Sequence, residues 1–177
     1  MRASVYIATS LDGFIAREDG GLDWLPGADG GGEGEDYGYQ AFMASVDVIV
    51  MGRRTYEQVL TFGDWPYQVP VAVLSSRPLE VPAALAKAVE CMSGSPGEIV
   101  ERLARRGAEH LYVDGGVTIQ RFLRAGLIQR LIVTRIPVLI GSGVPLFGPL
   151  EKDIALRHVE TRSYSSGFVQ SEYEIVA

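Results

Sequence analysis

The sequence predicts an α/β fold with a mostly parallel central sheet, helices flanking that sheet, and an antiparallel hairpin at the C-terminus. Short apolar runs rich in β-branched residues alternate with segments of helical periodicity, a pattern typical of parallel sheets. Two alternating apolar and polar runs, residues 155–164 and 168–176, flank a Ser-Ser-Gly turn. They predict the closing hairpin.

Length, charge and composition restrict the functional classes. The 177 residues fit one domain spanning residues 1–177. A net charge of −6 argues against general nucleic-acid binding, and the longest apolar runs are too short to cross a membrane. Cys91 is the only cysteine, and with His110 and His158 it forms no metal-binding pattern, so we expect no metal. The lone cysteine and the absence of a signal-peptide pattern at the N-terminus favour the cytoplasm.

The first strand covers residues 4–9 and is followed by an Asp-Gly turn and a short apolar return at residues 14–16. Residues 17–35 then form a long irregular stretch that contains an apolar island around Trp24. Such a loop either packs on a ligand or an active-site wall, or is a surface loop pinned by Trp24. A short helix is predicted for residues 36–45, with Tyr39 on its apolar side.

Residues 46–50 predict a buried strand that turns at Gly52 into a helix over residues 54–60. This junction directs free backbone N–H groups and a positive helix dipole to one place, and two arginines follow the glycine. A phosphate site is one interpretation; an ordinary turn with two solvated arginines is the other. Residues 71–74 predict the next strand, which ends in a Ser-Ser-Arg-Pro turn with the same two interpretations.

A Ser-Pro-Gly-Glu sequence at residues 95–98 predicts a helix start, and Gly107 ends that helix. The strand at residues 111–114 then meets two consecutive glycines and a further helix that ends at Gly126. Residues 127–138 predict a long apolar strand interrupted at Pro137. Three strands are therefore each followed by glycine, serine or arginine. Because parallel strands end at one edge of a sheet, these residues are expected to lie together there. They indicate a binding site for a nucleotide with several phosphates.

The order of these segments resembles the dihydrofolate reductase fold, including the reductase domain of riboflavin biosynthesis. The matching segments are residues 10–16, 50–57, 74–77, 113–118 and 134–147. The second resembles the Met-Gly-Arg-x-Thr-Trp/Tyr-Glu motif of these reductases, and the last ends in the Pro-Leu-Phe sequence of riboflavin reductases. The resemblance implies a three-layer reductase fold with NADPH as the cofactor, a small-molecule substrate and a homodimer.

The resemblance also implies site residues. Those expected to bind the cofactor are Ala8, Gly13, Ile15, Gly52, Arg53, Arg54, Thr55, Leu74, Ser75, Ser76, Arg77, Gly115, Gly116, Val117 and Thr118. Those expected on the substrate side are Trp24 and Thr134.

An acidic residue on the first helix contacts the heterocycle in this family, and its spacing from the motif glycine implies Asp36 as the catalytic carboxylate. A carboxylate in an apolar cleft can bind an amino-pyrimidine edge and support protonation. Asp36 can equally be a helix-start residue, and Glu33 and Glu35 are alternatives.

The chain departs from folate reductases at the position of their carboxylate-binding arginine, which falls near Val69. Lys and Arg are both missing between Arg54 and Arg77. We therefore expect an NADPH-dependent reductase of a small pteridine-like, ribosylaminopyrimidine-like or imine substrate. The alternative is an NADP(H)-binding sensor or regulatory subunit without redox turnover.

Overall fold

The computed structural model describes residues 1–27 and 34–176 and has an eight-stranded sheet at its centre. The strands are β1 Arg2–Ser10, β2 Phe14–Ala16, β3 Val48–Gly52, β4 Val71–Leu74, β5 Val89–Met92, β6 His110–Asp114, β7 Arg130–Ile136, β8 Val144–Pro145, β9 Leu156–Ser163 and β10 Val169–Ile175. The helices are α1 Tyr39–Met43, α2 Arg53–Leu60, α3 Pro96–Arg105 and α4 Gly116–Arg124, with a short 3₁₀ turn at Ala83–Leu85.

The main sheet has the order β5-β4-β3-β6-β1-β7-β10-β9, and β2 pairs with β8 in a small second sheet. The pairs from β5 through to β7 are parallel, and β10 is antiparallel to both β7 and β9. The predicted fold class and the C-terminal hairpin are therefore confirmed.

Alternation along the strands divides the core into two layers. Val50 of β3 packs with Ile99 of α3 and Ile119 of α4 on one face of the sheet. Its neighbours Ile49 and Met51 pack on the opposite face, with residues of α1 and α2. Because successive side chains of a strand point to opposite faces, an apolar run such as that of β3 is buried on both sides.

Several boundaries differ from the sequence predictions. Helix α1 has only five residues, and β7 is shorter than the predicted strand over residues 127–138. The periodicity gave no prediction for β5, whose central Glu90 and Cys91 are exposed and hide the strand pattern. Helix α3 begins as predicted: Ser95 and Glu98 form a capping box, with Pro96 at the first helical position. Within the described residues, none of the helices combines the length and apolar character that a membrane span needs.

Gly115 offers a test of how tightly the junctions of β3–α2 and β6–α4 pack. It has φ of 89°, and a Cβ atom there would overlap Thr55 Oγ1. Gly107 has a similar φ of 92°, but a Cβ there would meet nothing within 4 Å. We expect Gly107→Ala to cost about 1 kcal/mol of unfolding free energy for backbone strain alone. Gly115→Ala should cost about 2 kcal/mol more because it adds a steric clash.

Urea denaturation of both variants measures this difference. Equal losses of unfolding free energy would contradict the close contact between Gly115 and Thr55.

Candidate active site

The three predicted strand exits lie together. β4, β3 and β6 are consecutive in the sheet, and Met51 pairs with Asp114 while Gly52 pairs with Leu74. The carboxyl ends of these strands therefore meet at one edge, which is where ligands bind in open α/β sheets. The structure brings the residues that follow them into one region.

Helices α2 and α4 both start at this edge with free backbone donors. Neither Gly52 nor Gly115, their N-cap residues, supplies a side-chain cap, and neither helix has an acidic residue in its first turn. The first N–H groups of a helix and its dipole attract anions. Two such ends on adjacent strands create a site suited to the phosphates of a dinucleotide.

The two junctions touch through glycine and threonine. A Cβ atom on Gly52 would lie 3.0 Å from Thr118 Oγ1, and one on Gly115 would overlap Thr55 Oγ1. Thr118 is buried, whereas Val117 before it is 65% exposed. Of the residues predicted at these junctions, glycines and hydroxyls thus form the closest contacts, and the Val117 side chain points to the surface.

Arg53 connects this junction to the turn after β4. Its Nη1 donates to Ser75 Oγ at 3.2 Å and to the Pro78 carbonyl at 3.1 Å, and its Nε pairs with Glu57 at 2.8 Å. Ser75 Oγ in turn donates to the Arg77 carbonyl at 2.9 Å. The guanidinium of Arg53 thus fixes the shape of the turn.

The side chains left exposed around that turn are Arg54, Ser76 and Arg77, while Leu74 is half-buried. These exposed groups include two arginines, and guanidinium groups pair well with phosphate oxygens.

The segment predicted beside the nicotinamide lies against α4. Ile15 Cδ1 would be 3.1 Å from a Cβ on Gly116, and the Gly13 carbonyl accepts the Leu146 N–H at 3.0 Å. Asp12 accepts the Gly141 N–H at 2.8 Å and so ties this turn to the loop after β7. The β1–β2 turn is therefore held from two sides.

Trp24 is buried and packs with Ile136 and Phe168, with half-buried Ala8 and Tyr37 beside them. The structure therefore shows the described part of the long loop pinned by Trp24, and the expected substrate-side role of Trp24 stays a prediction. Its Nε1 is buried and lacks a hydrogen-bond partner in the part of the chain that the structure describes.

Asp36 lies in a different environment from the one expected. Its side chain is exposed, and its two oxygens accept the N–H groups of Gly38 and Gln40, both at 3.0 Å. These backbone hydrogen bonds lower the pKa of the Asp36 carboxyl. Instead of lying in the expected apolar cleft, the exposed Asp36 carboxylate satisfies the free donors at the start of α1. Its catalytic role stays a prediction. Glu35 is exposed as well, and Glu33 lies outside the described residues.

Asp114 is the acidic residue that sequence reasoning missed. It ends β6, directly before the two glycines, and its Oδ1 accepts the Gly115 N–H at 2.8 Å. Desolvation raises the pKa of Asp114 from 3.8 to about 6. Its negative charge contributes to the raised pKa values of Tyr39, Tyr67 and Tyr112, which burial raises most. A perturbed carboxyl in a cleft is typical of functional sites.

The signal for Asp114 was present in the sequence: an acidic residue at a strand exit beside a glycine pair. Its surroundings could not be predicted because the phenol groups come from α1, a loop and β6.

Thr134 of β7 is buried, and its Oγ1 accepts Gln170 Nε2 at 2.9 Å. The same amide nitrogen lies 3.0 Å from the Tyr37 carbonyl, which also accepts the Tyr6 hydroxyl at 2.8 Å. Tyr37 has φ of 56°, in the left-handed region. The structure therefore joins Thr134 to the backbone that precedes α1.

Two cavities lie away from these strand ends. The larger, about 790 Å³, is lined by Val71, Lys87 and Arg106 at the other end of the strands, where β3, β4 and β5 begin. Its arginine is already paired with Glu90, at 2.5 Å. The smaller, about 340 Å³, lies between α1 and the C-terminal hairpin. Neither has two helix N-termini, so we place the candidate site at the strand ends.

Comparison with known proteins identifies the family. A sequence model described as the RibD C-terminal domain matches residues 4–170 of this chain. The chain belongs to this family. The chain is also 34% identical over 172 residues to the YwjB protein of Bacillus subtilis (strain 168), covering 96% of this chain and 95% of YwjB.

Solved structures agree with the assignment to the RibD C-terminal domain family. A protein of Shewanella sp. PV-4 named for riboflavin biosynthesis is 42% identical, with both chains covered completely and a TM-score of 0.92. Enterococcus faecalis dihydrofolate reductase, complexed with NADP(H) and RAB-propyl, is 18% identical with a TM-score of 0.69. The match covers 99% of this chain and 97% of the reductase. At that identity the likeness shows a shared fold.

The raised pKa of Asp114 predicts a pH-dependent stability. Because its folded pKa lies above the ordinary value, ionisation opposes folding above about pH 6, and this cost vanishes below about pH 4. Asp114→Asn should therefore raise the unfolding free energy by about 1–2 kcal/mol at pH 8 and leave it unchanged near pH 4.

Asp36→Asn is the matched control, because its effect on the pH dependence of stability has the opposite sign. Its folded pKa is lowered, so its stabilisation is present at neutral pH and is lost as the pH falls. Denaturation curves at the two pH values measure both variants. Destabilisation by Asp114→Asn at pH 8 would contradict the desolvated carboxyl.

Proposed function

We propose that this protein is an NADPH-dependent reductase that transfers hydride to a small heterocyclic or imine substrate. The observation that carries the proposal is the meeting of two uncapped helix N-termini, at Gly52 and Gly115, beside a turn with exposed arginines. Membership of the RibD C-terminal domain family supports a reductase of this type. The related fold of a dihydrofolate reductase complexed with NADP(H) supports the choice of cofactor.

The residues at the strand ends suit a dinucleotide phosphate. The N–H groups at the starts of α2 and α4 would hold the diphosphate, with the Thr55 and Thr118 hydroxyls beside them. Arg54, Ser76 and Arg77 would bind the 2′-phosphate, and Arg53 would keep their turn in shape. The absence of a Cβ atom at either glycine makes room for these hydroxyls and so keeps the two helix starts close together.

The nicotinamide would lie over β1, near Ala8 and between Ile15 and Thr134, and it supplies the hydride when bound. Asp114 would then stand beside the acceptor and stabilise positive charge on it or supply a proton. In this proposal Asp114 has the catalytic role that the family resemblance implies for Asp36. The Asp36 carboxylate binds backbone N–H groups at the start of α1. The packed Trp24 would close one wall of the site and exclude water.

We further propose that residues 1–177 form one domain, that two copies associate as a homodimer, and that the enzyme works in the cytoplasm. Exposed apolar side chains on the C-terminal hairpin, Leu156, Val159 and Val169, support an association surface.

A fluorescence titration with NADPH and NADH tests the cofactor proposal. We expect NADPH to bind about tenfold more tightly or better, because charge-assisted hydrogen bonds to the 2′-phosphate are lost with NADH. Arg77→Ser should remove most of this preference by weakening NADPH binding alone. Arg105→Ser, which changes an exposed arginine already paired with Glu101 on α3, is the control and should affect neither cofactor.

Equal affinity of the wild-type protein for the two cofactors would contradict the 2′-phosphate assignment. Tight NADPH binding without oxidation by any pteridine, ribosylaminopyrimidine or imine would favour the alternative of a binding protein without turnover.

A further inference from the structure

The chain separates its charges between the two ends of the proposed site. Residues 18–52, which include the long loop, α1 and β3, contain five aspartates and three glutamates but no lysine or arginine. Residues 55–76 add one aspartate and one glutamate, again with no basic residue. The arginines between these segments and after them, Arg53, Arg54 and Arg77, lie where the cofactor phosphates are proposed to bind.

The basic residues that border the acidic segments face elsewhere. Arg17 is paired with Asp23, with Nε 2.5 Å from the carboxylate. Arg135 is exposed on β7, where it alternates with buried Thr134 and Ile136 and so points to the opposite face of the sheet. Helix α1 and residues 55–76, which supply Tyr39 and Tyr67, bring no basic side chain beside Asp114. Among the described residues, Arg2 lines the cavity next to Tyr6, but it pairs with His110 at the far end of β6 from Asp114.

What the substrate side does contain is one half-buried carboxyl among aromatic rings. Asp114 shares its surroundings with the phenol groups of Tyr39, Tyr67 and Tyr112. These phenols are uncharged at neutral pH, and burial raises their pKa values further. Tyr39 packs 5.4 Å from Tyr6, ring centre to ring centre.

The aromatic wall continues towards α2. Tyr67 lies 5.3 Å from Trp65, whose Nε1 is buried without a hydrogen-bond partner among the described residues. Electron-rich rings attract cations over their faces, and a carboxylate adds a direct charge partner.

This arrangement discriminates between substrate charges. A phosphate or carboxylate group placed beside Asp114 would be desolvated against a like charge, with no counter-charge in reach. A positively charged ring would instead pair with Asp114 and stack on the tyrosines. The selection is strongest where water is excluded, since charges interact more strongly there.

We propose that the substrate is a planar cationic heterocycle, an iminium-type ring without phosphate or carboxylate groups, bound between Asp114 and the tyrosines. The inference rests on the proposed reductase function. Hydride from the nicotinamide forms a C–H bond at the iminium carbon, and the C=N π electrons move to nitrogen. The substrate is reduced to a neutral amine and the cofactor is oxidised to NADP⁺, so the step needs no further proton.

Equilibrium binding of three ring probes of similar size tests the inference without turnover. N-methylisoquinolinium carries a permanent positive charge, isoquinoline is neutral at pH 8, and 2-naphthoate is an anion. Each is titrated at pH 8 into the protein saturated with NADP⁺ and into the protein alone. We expect the cation to bind about tenfold more tightly than the neutral ring, and the anion to bind more weakly than both.

Two variants identify the group responsible. Asp114→Asn should weaken binding of the cation about tenfold and leave binding of isoquinoline unchanged. Glu151→Gln removes an exposed carboxylate in the loop after β8 and should change neither. Tight binding of 2-naphthoate, or cation binding that survives Asp114→Asn, would overturn the inference.

The outcomes separate this inference from the proposed function. If the protein binds NADP⁺ but prefers the anionic probe, the proposed cofactor site is supported and the proposed cationic substrate is contradicted. If the protein binds the cation but does not bind NADP⁺, the proposed reductase function is contradicted. The proposed charge selectivity beside Asp114 is then still supported.

Discussion

The contact between the two strand-to-helix junctions is the constraint on which the site depends. β3 and β6 pair directly, so the first turns of α2 and α4 begin side by side. They can do so because Gly52 and Gly115 leave room for the hydroxyls of Thr118 and Thr55. A side chain at either glycine would push the helices apart, and the two sets of free N–H groups would no longer converge.

The two ends of the site differ in charge character because the helix N-termini converge at one of them. The groups proposed to bind phosphate gather where β3, β4 and β6 end, and Arg53 links two of those ends through Ser75. Beyond Asp114, towards α1, the lining changes to phenol rings and the nearby chain is acidic. In our proposal, one end of the site therefore binds a polyanionic ligand, and the other end disfavours anions. A cofactor and a substrate of opposite charge character would be oriented by these ends.

The sequence predicted the parts of the site that depend on local patterns. The strand, the glycine and the helix at each junction are contiguous, so periodicity and glycine placement were enough to identify the β3–α2 and β6–α4 units. The parallel order of the strands then placed the exits at one edge. The roles of the individual residues within these junctions stay predictions.

The two carboxylates show where local reasoning fails. Asp36 had both a helix-start and a catalytic interpretation, and the structure shows its oxygens on the N–H groups of Gly38 and Gln40. Asp114 owes its raised pKa to burial, and its charge acts on Tyr39 and Tyr67, which are distant in sequence and which no spacing rule connects to it. Short β5 was missed for a related reason, because its exposed centre carries no apolar alternation.

A crystal structure of the protein with NADP⁺ tests most directly whether the N-termini of α2 and α4 together bind the cofactor. We expect the diphosphate within hydrogen-bonding distance of the first N–H groups of both α2 and α4, with the 2′-phosphate at Ser76 and Arg77. The nicotinamide ring should face the side of the cleft that holds Asp114. A dinucleotide bound instead in the cavity where β3, β4 and β5 begin, near Lys87 and Arg106, would contradict this placement of the cofactor.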